Sequence, residues 1–470
     1  MNRFLTGILL AGALLLAACE TQSTLDPGPI DYGNITTIDY NKHVQPLLDE
    51  YGDMLSQAGI LPAGLDLSSW DKLIKGYNRG EVVIPYDAAS SLLVELSTKY
   101  NNPNPLDSLK LAFLERWIDE GAKNQNGEVP YAGSKNVVFV CNQNIGRVSV
   151  IERSAGVVIR NIDFADLGFS TSSKPHDIAV EPDGSFWYVS LIGDGKVLKF
   201  NSDHELVGQA DFVAAGLLAL HPTKDLLYAG HTLSIPDVPA TIAAIQRSTM
   251  TLTVIPLPFE RPHGIVADPN GRYIYFSALV SGDMGVIDTD TNPTEVADYY
   301  QLNRDPQVIV HVNPAPDGSK LVASSQLTEQ LLVLDVSDPA NIALVDSAAI
   351  GNRPWHPKYT PNGNFVYCGN DMQNTISVVN TATWQEVAVI GNGTGSDGLA
   401  NPHGLVIDHA GAKAYVTTRN VNMGYVPAFD LGDNVDYGCL VIIDIATNTI
   451  EKIVELGPFN SGIGIAGDLN

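Results

Sequence analysis

Five of the ten histidines in this 470-residue chain keep step with a recurring turn. His176, His263 and His403 each lie eight residues before a turn glycine, inside Pro-His-Asp or Pro-His-Gly. His311 and His356 lie seven residues before one, in VIVHVNP and RPWHPKY. Imidazole titrates near neutrality, makes hydrogen bonds through two distinct nitrogens, and ligates copper, zinc and iron. Several imidazoles converging on one point would therefore suit a transition metal. The same spacing would also suit histidines that bond the backbone of a neighbouring unit.

The elements that must position them repeat about every 46 residues. Asp183-Gly184, Asn270-Gly271, Asp317-Gly318, Asn362-Gly363 and Ala410-Gly411 each follow an apolar run. From Gly271 the steps are 47, 45 and 48 residues, and the 87 residues before it hold one further copy, LALHPTKDLLYAGH, with Lys224 in its turn. After each turn comes one kind of strand: SFWYVS, DLLYAG, RYIYFS, SKLVAS, NFVYCG and AKAYVT. Asp-Gly and Asn-Gly suit the positive φ of tight turns, and alternating Val, Ile and Tyr suit strands. Each unit thus predicts a small antiparallel sheet of about four strands. Units begin near Lys174, Ala215, Arg261, Gln307, Arg353 and Asn401. A seventh, NVVFVCNQNIGRVSVIER from Asn136, lacks its first strand, and Pro458–Gly467 can supply it from the other end. Such a closure leaves no free sheet edge. The expected fold is mainly β: a seven-bladed β-propeller over residues 136–470, preceded by a small all-α domain.

In that architecture the histidine position opens the innermost strand, beside the central channel. Blades two, four, five, six and seven then bring His176, His263, His311, His356 and His403 to one mouth. The blade-three equivalent is Gly216, and the closing strand offers Asn460 or Gly462. His221 and His231 come later in blade three and are not expected in the ring.

The repeats resemble the YVTN family of secreted propellers, with Tyr415-Val416-Thr417-Thr418 nearest its name motif. That resemblance implies the fold and leaves the role open. The histidine arrangement is similar to the propeller of nitrous oxide reductase, whose channel-mouth histidines hold a copper–sulfur cluster. The separate copper domain of that enzyme, with Cys and Met ligands, has no counterpart here. Some propellers are lactonases or hold Ca²⁺ on channel carboxylates; Asp177, Glu181 and Asp183 are the residues at hand.

The N-terminus reads as an address. Arg3 precedes an apolar run, Phe4 to Ala18, that ends in small residues. Leu16-Ala17-Ala18-Cys19 resembles the bacterial lipobox, which implies cleavage before Cys19 and a lipid on its thiol. Residues 20–36 read as a flexible tether, 37–123 as a helical domain and 124–135 as a linker. In the helical domain Val44, Leu47, Leu48 and Tyr51 form one apolar stripe. Asp107 or Ser108 can cap a second helix with Leu109, Phe113, Leu114, Trp117 and Ile118 on its apolar face. The order resembles c-type cytochrome domains through Ile84-Pro85-Tyr86-Asp87, Ser90, Leu92 and Trp117-Ile118-Asp119-Glu120-Gly121-Ala122. Gly52-Asp53-Met54-Leu55-Ser56 stands where the resemblance would place CxxCH, and Asn102-Pro103-Asn104-Pro105 replaces the usual second-ligand region. No covalent haem is expected. Such a domain would be a degenerate one, kept for docking. The propeller nitrite reductases that join a c-type domain to eight blades offer a haem-pocket reading of the same histidines.

Composition bounds the rest. The chain holds 53 acidic and 27 basic side chains, a net charge of −26, so phosphate backbones repel it and nucleic acid is not an expected partner. Four cysteines are too few for a disulfide scaffold. Cys141 and Cys368 fall at equivalent places in two repeats and read, with Cys439, as buried strand thiols. There is no G-x-S-x-G, P-loop or HExxH. The expectation is an exported lipoprotein, anchored through Cys19 on the periplasmic side or at the cell surface, with the outer membrane favoured. It would bind a protein partner or a small ligand at the channel in a redox or metal-related setting. Two alternatives stay open: a copper- or haem-dependent oxidoreductase or its accessory, and a lactonase-like hydrolase.

Overall fold

The structure is a computed structural model that describes residues 29–235, 238–302, 308–432 and 436–466. The leader and Cys19 lie outside the described residues, as does the tether up to residue 28. Among the described residues, twenty-eight strands form seven four-stranded antiparallel sheets. Inner strands are Pro175–Val180, Ala215–Leu220, Pro262–Ala267, Ile309–Pro314, Pro354–Tyr359 and Pro402–Ile407 in blades two to seven. Each begins within two residues of its expected start. In blade one Asn460–Ile465 pairs antiparallel with Val137–Asn142, with Val138 opposite Ile465 and Val140 opposite Ile463. The chain closes its ring as its repeat count requires, so the seven-bladed propeller stands.

Turn chemistry sets each blade. Gly184, Gly271, Gly318, Gly363 and Gly411 all have φ between 65° and 77°, a region where a Cβ is strained. Strand alternation sets the packing between blades. Trp187, Val189 and Leu191 pack towards blade one, while Tyr188 packs towards blade three. Seven such interblade cores run round the ring, the last joining Val406 and Leu440 to Val138 and Val140. Cys141, Cys368 and Cys439 are free and buried. Cys141 is the fifth residue of its strand and Cys368 the fourth. That one-residue offset turns them to opposite faces, Cys141 towards blade two and Cys368 towards blade five.

Helices Gln45–Gln57, Trp70–Leu73, Leu92–Thr98 and Ser108–Asp119 share one core with Val44, Leu47, Leu48, Tyr51, Phe113, Leu114, Trp117 and Ile118. The Asp107 carboxylate caps the last of them, accepting from the Leu109 and Lys110 N–H groups at 3.0 Å each. Leu109 itself is 59% exposed, because it starts the helix one turn outside the buried stripe. The strip from Tyr77 to Ser90 lies against blades one and seven. Ile84 joins the blade seven–one core, Glu81 accepts from the Val158 N–H at 2.9 Å, and Asp87 accepts from Asn161 at 2.8 Å. Tyr77 donates to Glu455 at 3.1 Å. The blade-seven loop answers from the other side: Leu431 is buried in the helical core and Phe429 packs at a tilt against Tyr77 and edge-on against Tyr100. Among the described residues no helix is long and apolar enough to cross a membrane.

Candidate functional site at the channel mouth

In a four-stranded antiparallel blade, the first-to-second and third-to-fourth turns lie at one end of the ring. The second-to-third and blade-to-blade connections lie at the other. Inner strands start at this second end, and their starts carry the five histidines. His176, His263 and His403 are second residues of their strands; His311 and His356 are third. All five are buried.

Four of the rings form a closed circuit. Ring centres are 6.0 Å apart for His176–His263, 6.4 Å for His263–His356, 5.2 Å for His356–His403 and 6.3 Å for His403–His176. His311 leans on His356 at 4.6 Å. Imidazoles sharing one tetrahedral ion, with metal–nitrogen bonds near 2 Å, have ring centres about 5 Å apart. The His311–His356 and His356–His403 pairs have about that spacing, and the remaining sides of the circuit are about 1 Å wider. As placed, no three His, Cys, Asp or Glu side chains among the described residues stand close enough to hold one ion.

The electrostatics are those of neutral imidazoles. Burial pushes His176 down to about 3 and His263 to about 4. It carries His311, His356 and His403 well below their usual value, with further depression from Lys358 on His311, from the neighbouring imidazoles on His356 and from Arg419 on His403. Some tautomers are set by neighbours. His263 Nδ1 donates to the Val310 carbonyl at 2.6 Å, which leaves its Nε2 with the lone pair. His176 Nδ1 faces Gln143 Oε1 at 3.3 Å. Four ring nitrogens are buried with no hydrogen-bond partner: His176 Nε2, His311 Nδ1, His356 Nε2 and His403 Nδ1. Buried polar atoms are nearly always paired, so four orphans on one cluster need an explanation. A cavity of about 20 Å³ lies against His311, His356, Asp177 and Lys358, room for one water-sized ligand.

Of the other sequence candidates only Asp177, the residue after His176, borders the histidine cavity. His221 sits at the far end of its strand, with Nδ1 accepting from the Thr223 and Lys224 N–H groups at 3.1 and 2.9 Å. His231 borders an open crevice of about 530 Å³ out on blade three. Asp177 accepts from the Leu218 N–H at 2.8 Å, Glu181 pairs with Arg247, and Asp183 caps its own turn at Ser185. These carboxylates serve separate local roles. In the helical unit, His43 Nδ1 accepts from the Asp39 N–H at 3.0 Å, and Met54 packs at the core edge.

No protein-family model matches the chain. Among solved structures, it is similar to a protein of unknown function from Desulfotomaculum acetoxidans. The TM-score is 0.55 at 17% identity, over 70% of this chain and 98% of that one. It is also similar to a chain of Kuenenia stuttgartiensis hydrazine synthase, with TM-score 0.52 at 18% identity over 63% of this chain and 90% of that one. At these identities the likeness is one of fold.

Three residues of the mouth carried no sequence signal. Trp355 lies 4.9 Å from the His403 ring. The Arg419 guanidinium stacks between Trp355, at 4.8 Å, and Phe459, at 5.2 Å. They come from blade six, the blade-seven loop and the link to the closing strand. No repeat spacing relates them.

Proposed function

We propose that this protein is a propeller-based binding protein whose ligand sits among the channel-mouth histidines, and that a transition-metal ion, copper foremost, is the ligand those side chains suit. One observation carries the reading: four buried neutral imidazoles each hold a ring nitrogen without a partner. Neutral imidazole is the ligating form, and clustered imidazoles suit copper and zinc. His311, His356 and His403 would hold the ion, with His176 and His263 drawing in by about 1 Å to complete its shell. The bound ion would supply a redox-active or Lewis-acidic centre; the chain's own part is to keep the imidazoles neutral, oriented and dry. Helper or partner in a redox system is the setting we favour over catalysis by this chain alone.

The rest of the chain fits a docked, exported module. Cys19 would carry the lipid, and the helical unit would be a degenerate cytochrome-like domain kept as a docking piece. The Tyr77–Ser90 strip, fastened to blades one and seven, supports that role.

The test is calorimetric titration of metal-stripped full-length protein with Cu²⁺ and Zn²⁺. One tight, saturable equivalent that is lost in a His263→Ala/His403→Ala variant is the expected result. Uptake that the variant leaves unchanged contradicts it.

A further inference from the structure

The residue immediately before the inner strand has φ between 51° and 57° in six blades: Lys174, Ala214, Arg261, Arg353, Asn401 and Phe459. Three of these six are cationic, and Arg419 adds a fourth charge beside the same opening. Lys174 and Arg353 are exposed, while Arg261 and Arg419 are half-buried. One buried carboxylate, Asp371, answers both Arg353 and Arg419. No ion pair among the described residues involves Lys174 or Arg261, whose Nε donates to Ser234 at 3.0 Å. Glu260, next in sequence, is turned to the Ser234 hydroxyl. A chain of net charge −26 thus collects cations around its channel entrance. Lys174 and Arg261, the two without an ion-pair partner among the described residues, leave a local excess of positive charge that draws in the opposite sign.

The centre of this collar is built to donate. Stacking between Trp355 and Phe459 fixes the plane of the Arg419 fork. Arg419 Nε and Trp355 Nε1 are both buried without an acceptor. Neither group can accept a hydrogen bond, so only an incoming acceptor satisfies them. A guanidinium fork matches planar oxyanions in two-point contact. We propose that the channel mouth binds a small planar oxyanion, a carboxylate or a nitrate-like ion, with Arg419 and Trp355 as its donors and Lys174, Arg261 and Arg353 as its steering charges. This goes beyond metal binding and does not depend on it, since its donors are Arg419 and Trp355 and not the imidazoles.

The experiment uses full-length, metal-free protein in low-salt zwitterionic buffer, titrated with sodium nitrate and sodium acetate, with tetramethylammonium chloride as the control for bulk salt. One saturable site for nitrate or acetate is expected, weakened by added salt as collar electrostatics require. Arg419→Gln should weaken it at least tenfold. Lys174→Gln/Arg261→Gln, on exposed and half-buried side chains that leave the fold intact, should weaken it two- to fivefold. Absence of saturable anion binding overturns the proposal, as does equal affinity in the Lys174→Gln/Arg261→Gln variant. Copper uptake measured on the same variants separates the two readings: anion binding without copper uptake sinks only the metal reading, and copper uptake without anion binding sinks only this one.

Discussion

Two buried histidine environments lie at opposite ends of the ring: His221 just past the end of the blade-three inner strand, and the mouth histidines at the starts of five other inner strands. At the turn end, His221 has both ring nitrogens engaged: Nδ1 accepts from two backbone N–H groups and Nε2 meets Thr289 Oγ1 at 3.2 Å. At the mouth, four of five histidines keep a nitrogen unpaired. Burial and residue type are matched, so hydrogen-bond satisfaction is the difference. His221 is chemistry completed within the chain, and the mouth histidines are chemistry left open to a ligand. Carboxylates are satisfied at both ends, Asp183 and Asp317 closing their own turns and Asp371 pairing with Arg353 and Arg419 at the mouth.

The largest expected effect breaks the comparison at the mouth. His356→Ala/His403→Ala should lower copper affinity at least a hundredfold in calorimetry, while His221→Ala leaves it unchanged. Equal losses in both would dissolve the distinction.

Acid gives the next effect. His176 and His263 are held below their unfolded value of about 6.5. Their neutral form is fully favourable above pH 6.5, and its contribution is lost as pH falls towards 3–4. Unfolding free energies from denaturant titration should therefore drop below pH 6.5, by up to about 1.4 kcal/mol per pH unit for each histidine that resists protonation. His356→Phe should flatten that slope.

Smaller still, His221→Ala should cost about 1–3 kcal/mol in urea unfolding, because two backbone donors lose their acceptor. Gly184→Ala should cost about 1 kcal/mol, since its φ is 69° and its Cβ would meet nothing nearer than 4.0 Å. Neither should move copper affinity.

The smallest effect has the opposite pH sign and belongs to the seam with the helical unit. Burial raises Glu81 to about 7. Its docked form keeps a proton that the free form releases above about 4.5, so docking strengthens as pH falls from 7 to 4.5. Hydrogen-exchange protection in the Tyr77–Ser90 strip, taken relative to the intrinsic rate at each pH, should rise over that range, and Glu81→Gln should remove the rise.

Blade count, ring closure and the five mouth histidines were legible in the sequence, because each is a repeated feature and periodicity reports it. Trp355, Arg419 and Phe459 were not, since each occurs once and only closure of the ring unites them. Phe429 and Leu431 hid in a long blade-seven loop whose partner core lies more than 300 residues upstream. Ile84 sat inside a helical-domain motif, yet it packs on the propeller. Leu109 matched the helical period but precedes the turn that the core covers. Pattern alone gives a face and does not say where burial begins.

The central claim is that the mouth histidines coordinate an ion. Anomalous diffraction at the copper edge, from crystals of copper-loaded protein, tests it most directly. The account predicts one anomalous peak with at least three of His176, His263, His311, His356 and His403 at about 2 Å. A peak elsewhere, or imidazoles left at 6 Å ring spacings around ordered water, would contradict it.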